Sequence, residues 1–272
     1  MAKSKIDAPL IRKFQKTVLD FYKKKGRHAL PWRTTTNSYR ILVSEVMLQQ
    51  TQVDRVIPYY KKFLKKFPTI ATLADAPLRE VLVVWQGLGY NRRAKMLHEA
   101  AKTAMINHSG QLPKTYEELV ALPGVGDYTA KAVRVFAYNE PEVLIETNVR
   151  SVFIYHFFPK KKTVSDKELL KYVELTLPKK HDSREWYAAL MDYGSYIKKE
   201  YPNPSRRSKH HIKQKPFKGS NREIRGAILR AKLQGEPISK LPFDKENIQK
   251  QTNALVAEGL LKKKGKHYVL SD

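Results

Sequence analysis

Apolar residues recur at helical spacing along almost the whole chain, and this periodicity is the feature that most restricts its fold. The first apolar stripe runs from Leu10 to Tyr22. Helix starts are marked where Ser or Thr stands three residues before Glu, at Thr115, Ser165 and Ser220. No convincing strand pattern appears before the last dozen residues. The sequence therefore predicts an all-α fold.

The chain is strongly basic, with 52 Lys and Arg against 26 Asp and Glu among 272 residues, for a net charge of +26. The excess is spread along the whole length, which favours a polyanionic partner, either nucleic acid or an anionic membrane. No apolar run approaches the roughly 18 residues needed to span a bilayer, and no signal peptide pattern is present, so we expect cytoplasmic residence. The absence of cysteine excludes disulfides, thiolate metal sites and cysteine nucleophiles.

A basic segment interrupts the helical pattern near the C-terminal end. Residues 198–218 contain eight Lys or Arg and three Pro without a helical stripe, which is typical of a linker. Two amphipathic helices and a short hairpin turning near Gly265 follow it. This order predicts a small winged-helix-like domain over 219–272, and a helical tail with a solvated basic end is the alternative.

A glycine-rich turn opens a helix in "LPGVGDYTAKAV", residues 122–133. The glycines allow a close approach of the backbone to another chain. The helix start that follows offers unpaired N–H groups and a partial positive charge, which suit a phosphate without any charged side chain. An ordinary corner between two helices explains the spacing equally well.

Four segments carry a resemblance to a known family. "LPGVGDYTA" resembles the helix–hairpin–helix of the endonuclease III and A/G-specific adenine glycosylase superfamily. Residues 30–101, from "LPWRTTT" to "LHEAA", resemble the adenine glycosylase branch, "IETNVRSVF" the segment with the catalytic carboxylate, and "WYAALMDYGSYI" the late helix. The resemblance covers about residues 5–197.

The resemblance implies a helical barrel and a second helical lobe, with the active site in the cleft between them. We place the barrel with its helix–hairpin–helix at 28–140 and the second lobe at 1–27 and 141–197. The linker at 198–218 and the winged-helix-like domain at 219–272 complete the predicted organisation.

Glu45 is the candidate general acid. It stands in the apolar run "ILVSEVML", within a helix predicted over 39–51, and burial there should raise its pKa above about 4.3. A protonated carboxyl can protonate a departing purine, which makes it a better leaving group. Pairing of Glu45 with Arg40 or Arg55 is the alternative, and the resemblance favours catalysis because Glu45 occupies the place of the family's catalytic glutamate.

The resemblance also assigns residues that handle the base and the DNA. Gln50 is the wedge that fills the place of an extruded base, and Tyr90 inserts on the strand opposite the target. Trp32 and Tyr128 are placed at the base pocket. Contacts to the DNA phosphates are assigned to the glycine-rich turn and the start of the next helix, at Leu122, Gly124, Val125, Gly126 and Thr129.

Several positions depart from relatives in ways that bear on the chemistry. Tyr128 stands where bifunctional relatives carry a Schiff-base lysine, so we expect a glycosylase without strand cleavage, with Lys131 as the candidate for residual lyase activity. Glu146 stands where aspartate is usual, and we predict that it stabilises the cationic sugar. Lys198 stands at the place of the first cluster cysteine, so no iron–sulfur cluster is expected. Ala188 stands where Glu or Gln often reads adenine.

These observations predict a monofunctional DNA-repair glycosylase that flips a mispaired base and hydrolyses its N-glycosidic bond. Adenine opposite guanine or 8-oxoguanine is the favoured target. A thymine or uracil mismatch glycosylase and a non-catalytic DNA-binding protein with a degenerate pocket are the alternatives. We expect a monomer that binds double-stranded DNA and not membranes, without metal or cofactor.

Overall fold

The computed structural model describes residues 7–178, 182–214, 216–265 and 267–271. Contacts divide the chain into two units. The first unit comprises Met1–Ile41, described from residue 7, and Gly126–Lys213. The second unit comprises Leu42–Val125 and Gln214–Asp272, described to residue 271. The domain bounds inferred from the sequence remain predictions.

Helices account for most of the regular structure, and the α-helices in chain order are α1 Ala8–Lys25, α2 Ser38–Leu48, α3 Val53–Lys66, α4 Ile70–Ala74, α5 Leu78–Trp85, α6 Arg92–Asn107, α7 Tyr116–Ala121, α8 Asp127–Tyr138, α9 Thr147–Phe157, α10 Asp166–Thr176, α11 Ser183–Glu200, α12 Asn221–Leu233 and α13 Lys245–Ala257. Short 3-10 helices occupy Pro204–Arg207 and Ile238–Lys240. The strands are β1 Leu261–Lys264 and β2 His267–Leu270. The predicted all-α fold is confirmed. In the described ranges, no helix is both long enough and apolar enough to cross a membrane.

Two of the three predicted capping boxes show side-chain capping bonds at the helix start. Thr115 caps α7 by accepting from the Glu118 amide, and Ser165 forms a full capping box with Glu168. The prediction for Ser220 is wrong in detail, because its hydroxyl donates to the Phe217 carbonyl and makes no capping bond. Ser220 still stands at the start of α12.

The core of the first unit forms where α1 and α9 pack against α11. Phe14 of α1 contacts Phe153 and Phe157 of α9 and Trp186 of α11, with ring centroids 4.9–5.9 Å apart. These aromatic contacts bury large apolar surfaces, which is the main source of stability for helices that lack a sheet to pack on. They fix α9, the helix that Glu146 precedes.

The second unit combines α3–α7 with the C-terminal elements. Helix α6 packs on α4 and α5, and Phe63, Phe67 and Trp85 are fully buried. At the C-terminal end, α12 and α13 pack on an antiparallel β1–β2 hairpin, in which Leu261 pairs with Leu270. The two helices and the hairpin expected after residue 219 are present, and the separate winged-helix-like domain remains a prediction.

Regular structure extends into the segment predicted to be a linker. Helix α11 continues to Glu200, and Ser208 forms a parallel bridge with Val164. Arg207 donates to the carbonyls of Phe158 and Lys161, after the end of α9. A guanidinium has five donors, so one arginine can satisfy several carbonyls that a helix end leaves unpaired.

Candidate functional site

Glu45 lies in the middle of α2 and is buried, with 7% of its surface exposed. Its neighbours in the helix, among them Leu42, Val46 and Met47, are buried as well. The predicted burial of Glu45 is therefore confirmed, whereas its elevated pKa remains a prediction.

Helix α2 ends earlier than predicted, at Leu48 rather than Thr51. The amides that follow therefore leave the helix, and the prediction that Gln50 stands on a helix is wrong. Gln50 is exposed and adopts a left-handed backbone conformation with φ of +54°. A residue other than glycine at such a φ is uncommon and requires support from its surroundings.

Arg93 of α6 supplies that support. Its guanidinium donates to the carbonyls of Val46, Met47 and Gln49 at 2.6–2.9 Å and to the carbonyl of Gly89 at 3.0 Å. Burial lowers the pKa of Arg93 to about 10, so it remains protonated at neutral pH. One buried cation thus ties the end of α2 to the turn "GLGY", residues 87–90.

The "GLGY" turn itself is built from left-handed residues. Gly87, Gly89 and Tyr90 have φ of +94°, +84° and +50°. Gln50 and Tyr90, the two residues assigned to insertion into DNA, are therefore both held in a strained conformation. Gln214 joins them, because its amide nitrogen donates to the Tyr90 hydroxyl and lies 3.5 Å from Gln50 Oε1. Strain of this kind is concentrated at functional positions in proteins.

The glycine-rich turn requires glycine at Gly124 for two reasons. Its φ is +75°, and a Cβ added there would lie 2.4 Å from the Cβ of Met96. The Leu122 and Val125 side chains are buried, so these two residues can offer only their backbone to a phosphate.

The predicted phosphate contacts continue in the first unit, at the start of α8. Gly126 is exposed at the N-cap, and nothing lies within 4 Å of a Cβ built on it. The Thr129 side chain is buried, so a phosphate would have to contact the backbone of this residue. Tyr128 is partly exposed on the same helix, and Lys131 pairs with Asp127 at 2.7 Å.

Glu146 is the N-cap of α9. Its Oε1 accepts from the backbone N–H groups of Asn148 and Val149 at 2.7 and 2.9 Å, and its Oε2 accepts from Asn148 Nδ2 at 3.2 Å. Backbone donors and the helix dipole stabilise negative charge at this position. The carboxylate that replaces the usual aspartate is therefore oriented by the helix that follows it.

Helix α11 holds the beginning of α9 in place. A Cβ at Gly194 would lie 2.3 Å from the Asn148 carbonyl oxygen, so only glycine permits this approach. Further along α11, burial lowers the pKa of Lys198, and the negative charge of Glu146 opposes that shift. Lys198, which stands at the place expected for the first cluster cysteine, is thus electrostatically coupled to Glu146.

The remaining predicted positions are buried side chains of the first unit. Trp32 and Ala188 are 8% and 2% exposed. Their roles at the base pocket remain predictions. Among the described residues, no group of His, Cys, Asp and Glu side chains could hold a metal ion.

Each unit contains one of the two predicted catalytic carboxylates. Glu45, Gln50 and Tyr90 belong to the second unit, and Glu146 belongs to the first. Three residues that shape the site, Arg93, Gln214 and Gly194, were not predicted from the sequence. Only Gly194 gave a local signal, since a glycine within a helical pattern indicates close packing.

Comparisons with known proteins identify similar sequences and folds. Residues 43–178 match the family described as HhH-GPD superfamily base excision DNA repair protein. The adenine DNA glycosylase of Buchnera aphidicola is 40% identical over 185 residues, which cover 68% of this chain and 52% of that protein. The chain thus spans about half the length of this relative.

Two further similarities extend the comparison. The thymine/uracil-DNA glycosylase of Pyrobaculum aerophilum is 31% identical over 190 residues, which cover 68% of this chain and 83% of that protein. The solved structure of a thermostable thymine-DNA glycosylase has a TM-score of 0.59 and 27% identity, and the match covers 68% of this chain and 86% of that one. By sequence and by fold, the chain belongs to the HhH-GPD superfamily of base excision DNA repair proteins.

Proposed function

We propose that this protein is a monofunctional DNA glycosylase that removes adenine opposite guanine or 8-oxoguanine. The observation that carries the proposal is a buried Glu45 in the same unit as two strained residues, Gln50 and Tyr90, that are suited to insertion into a duplex. The similarity to adenine DNA glycosylases supports adenine as the target.

DNA binding comes first in this proposal. A net charge of +26 attracts the duplex, and the backbone of the turn at Gly124 and Gly126 contacts a phosphate. Turning a base out of the duplex costs a few kcal/mol, and least when the base is mispaired. Gln50 and Tyr90 offset that cost by filling the gap, since Arg93 already fixes the backbone around them.

Glu45 then acts as a general acid. A buried carboxyl that keeps its proton near neutral pH can donate it to a ring nitrogen of the flipped purine. The protonated base leaves as a neutral molecule, and the C1′–N bond breaks with its electron pair going to the base. General acid catalysis of this kind contributes roughly 10²–10⁴-fold to the rate.

Glu146 stabilises the sugar that remains. Loss of the base leaves positive charge on C1′ and the ring oxygen, and a carboxylate held by three donors counters that charge. Water adds to C1′, loses a proton to the solvent and yields a neutral abasic site. Tyr128 has no amine for a Schiff base, so the proposal includes no strand cleavage.

A second candidate function is excision of thymine or uracil from mismatches with guanine. The relative from Pyrobaculum aerophilum favours it, because this chain covers 83% of that thymine/uracil-DNA glycosylase. Ala188 also favours it, since a methyl side chain offers no hydrogen bond to adenine.

One assay separates the candidates. The purified full-length chain is incubated with duplexes containing A, T or U opposite G, and A opposite 8-oxoguanine, followed by alkali to cleave abasic sites. We expect cleavage at the adenine strand. Cleavage only at T or U would establish the second candidate, and binding without cleavage of any duplex would contradict a glycosylase.

A further inference from the structure

A short basic hairpin near the C-terminal end of the second unit takes no part in the proposed excision. Lys262, Lys263 and Lys264 are exposed and occupy three of the four positions of β1, and the residues of β2 that pair with them include no acidic side chain. Lysine is disfavoured in strands, and like charges at neighbouring positions repel each other. A single lysine would protect an exposed strand edge from aggregation. The stability of the hairpin therefore does not explain three of them.

The hairpin is a fixed frame for these charges. Leu260 and Leu261 are buried, and the amide of Ser271 donates to the Leu260 carbonyl at 3.2 Å. Gln249 of α13 donates from Nε2 to the Tyr268 hydroxyl at 3.1 Å, which joins β2 to the helix. Charged groups on a frame that is already ordered lose less conformational freedom when they bind a ligand.

Helix α6 links the hairpin to the turn at Gly124. Lys95 Nζ donates to the carbonyl of Glu258 at 2.9 Å, and a Cβ built on Gly259 would lie 2.3 Å from the same nitrogen. The next residue, Met96, packs against Gly124, where an added Cβ would lie 2.4 Å from Met96 Cβ. Two successive residues of one helix therefore contact the residues that precede β1 and the turn predicted to bind a phosphate.

The length of the strand limits how far the lysines lie from this point of contact. An extended chain spans about 3.3 Å per residue, so the path from Gly259 to Lys264 measures at most about 16 Å. One helical turn of duplex DNA measures about 34–36 Å. The hairpin can therefore reach phosphates roughly half a turn or less from the one at Gly124.

The surroundings of the lysines favour duplex DNA over an anionic membrane. Among the described residues between 218 and 271, no large hydrophobic side chain is exposed. A basic segment that binds a lipid surface gains much of its affinity from apolar side chains buried in the headgroup region. The DNA backbone needs only cations placed near its phosphates.

We propose that the β1–β2 hairpin is a second phosphate-binding site, which contacts the duplex backbone at a distance from the target base. Each ammonium neutralises one phosphate and releases its counterion. Such contacts position the protein and carry no base information, so the site adds affinity for a duplex of any sequence. The inference rests on the proposed function only for DNA as the ligand, and the binding it predicts needs no base excision.

Fluorescence anisotropy at several salt concentrations tests the inference with the full-length chain. The probe is a duplex of about 25 base pairs, more than two helical turns, with a central tetrahydrofuran abasic analogue. The triple variant Lys262→Gln, Lys263→Gln, Lys264→Gln should reduce the slope of log affinity against log salt by about 2–3, because each lost phosphate contact removes about 0.9. Replacement of all three lysines by Arg keeps the charge and should keep the slope.

The matched control removes the same charge elsewhere in the same unit. It is the triple variant Lys61→Gln, Lys62→Gln, Lys65→Gln, which changes three exposed lysines of α3. Loss of long-range attraction alone should reduce its slope by about 1 or less. Equal reductions in the two triple variants would overturn the inference, because net charge would then account for the whole effect.

Ethylation of individual phosphates on the same duplex locates the contacts. Some phosphates should interfere with binding by wild type but not by the hairpin variant, and they should lie within about five base pairs of the phosphates that interfere with both. An identical interference pattern for the two proteins would also overturn the inference. Excision measured in parallel separates the two proposals: a hairpin contact without excision contradicts the proposed function alone, and excision without a hairpin contact contradicts this inference alone.

Discussion

Glu45 and Glu146 carry the same functional group in opposite surroundings. Glu45 lies in the middle of a helix among apolar side chains, where a charge is costly. Glu146 lies at a helix start, where two backbone N–H groups and an amide side chain donate to it. The first environment makes a charge costly and the second supplies donors to one, so the two carboxylates suit different chemical roles.

The helices that carry the two carboxylates are also held differently. A buried cation, Arg93, binds the carbonyls at the end of α2. The start of α9 is instead held by close packing of the Asn148 backbone against Gly194 of α11. Hydrogen bonds therefore fix the end of α2, and packing fixes the start of α9. Substitutions should affect these two helix ends in different ways.

The largest loss of excision activity is expected from Glu45→Gln. The amide keeps the size of the side chain but cannot donate a proton as an acid, so single-turnover excision should fall by about 10²–10⁴-fold. DNA affinity should stay within a few-fold of wild type. Glu80→Gln is the control, because Glu80 is an exposed glutamate of the same unit. Excision by Glu45→Gln near the wild-type rate would remove Glu45 from the mechanism.

Glu146→Gln comes next and tests charge separately from capping. Glutamine can still accept the amide bonds of α9, so the helix should stay intact while the negative charge is lost. We expect a loss of about 10²–10³-fold in the single-turnover rate. Glu146→Asp keeps the charge on a shorter arm and should slow excision by about tenfold or less. If Glu146→Asp were faster than wild type, the glutamate would be a sign of a decayed site.

The sequence was sufficient to predict what depends on local pattern. The periodicity around Glu45 predicted a buried helix, and the structure places it there. The end of that helix could not be predicted, because it depends on Arg93, which lies 44 residues from Gln49 along the chain. Likewise, the hydrogen bonds from Gln214 to the wedge residues arise from folding of the C-terminal segment onto the unit, which no local motif encodes.

Arg93→Lys should have a smaller effect on both stability and excision. A lysine has three donors without a planar fork, so some buried carbonyls would lose their partner at a cost on the order of 2–3 kcal/mol in the free energy of unfolding. Gln50 and Tyr90 would lose their fixed backbone, and excision should fall roughly tenfold. Arg55→Lys is the matched control, since Arg55 is exposed and donates to the Gly87 carbonyl. Equal behaviour of the two variants in urea unfolding would contradict the role given to Arg93.

The smallest effect on activity is expected from Gly194→Ala, which tests the packing side of the comparison. The added methyl would lie 2.3 Å from the Asn148 carbonyl oxygen, so α9 or α11 must shift. Overpacking of this kind typically costs about 1–3 kcal/mol in the free energy of unfolding.

The shift would also move the first turn of α9, and Glu146 with it, so excision should fall by a few-fold while DNA affinity is unchanged. Gly226→Ala provides the control, because Gly226 is also a helical glycine but nothing lies within 4 Å of its Cβ position. Alanine favours a helix over glycine by up to about 1 kcal/mol, so this variant should be more stable than wild type and equally active. Urea unfolding of both variants measures whether each substitution raises or lowers the free energy of unfolding. A stabilised Gly194→Ala would mean that α9 is not held by this contact, and the orientation of Glu146 would then depend on its amide donors alone.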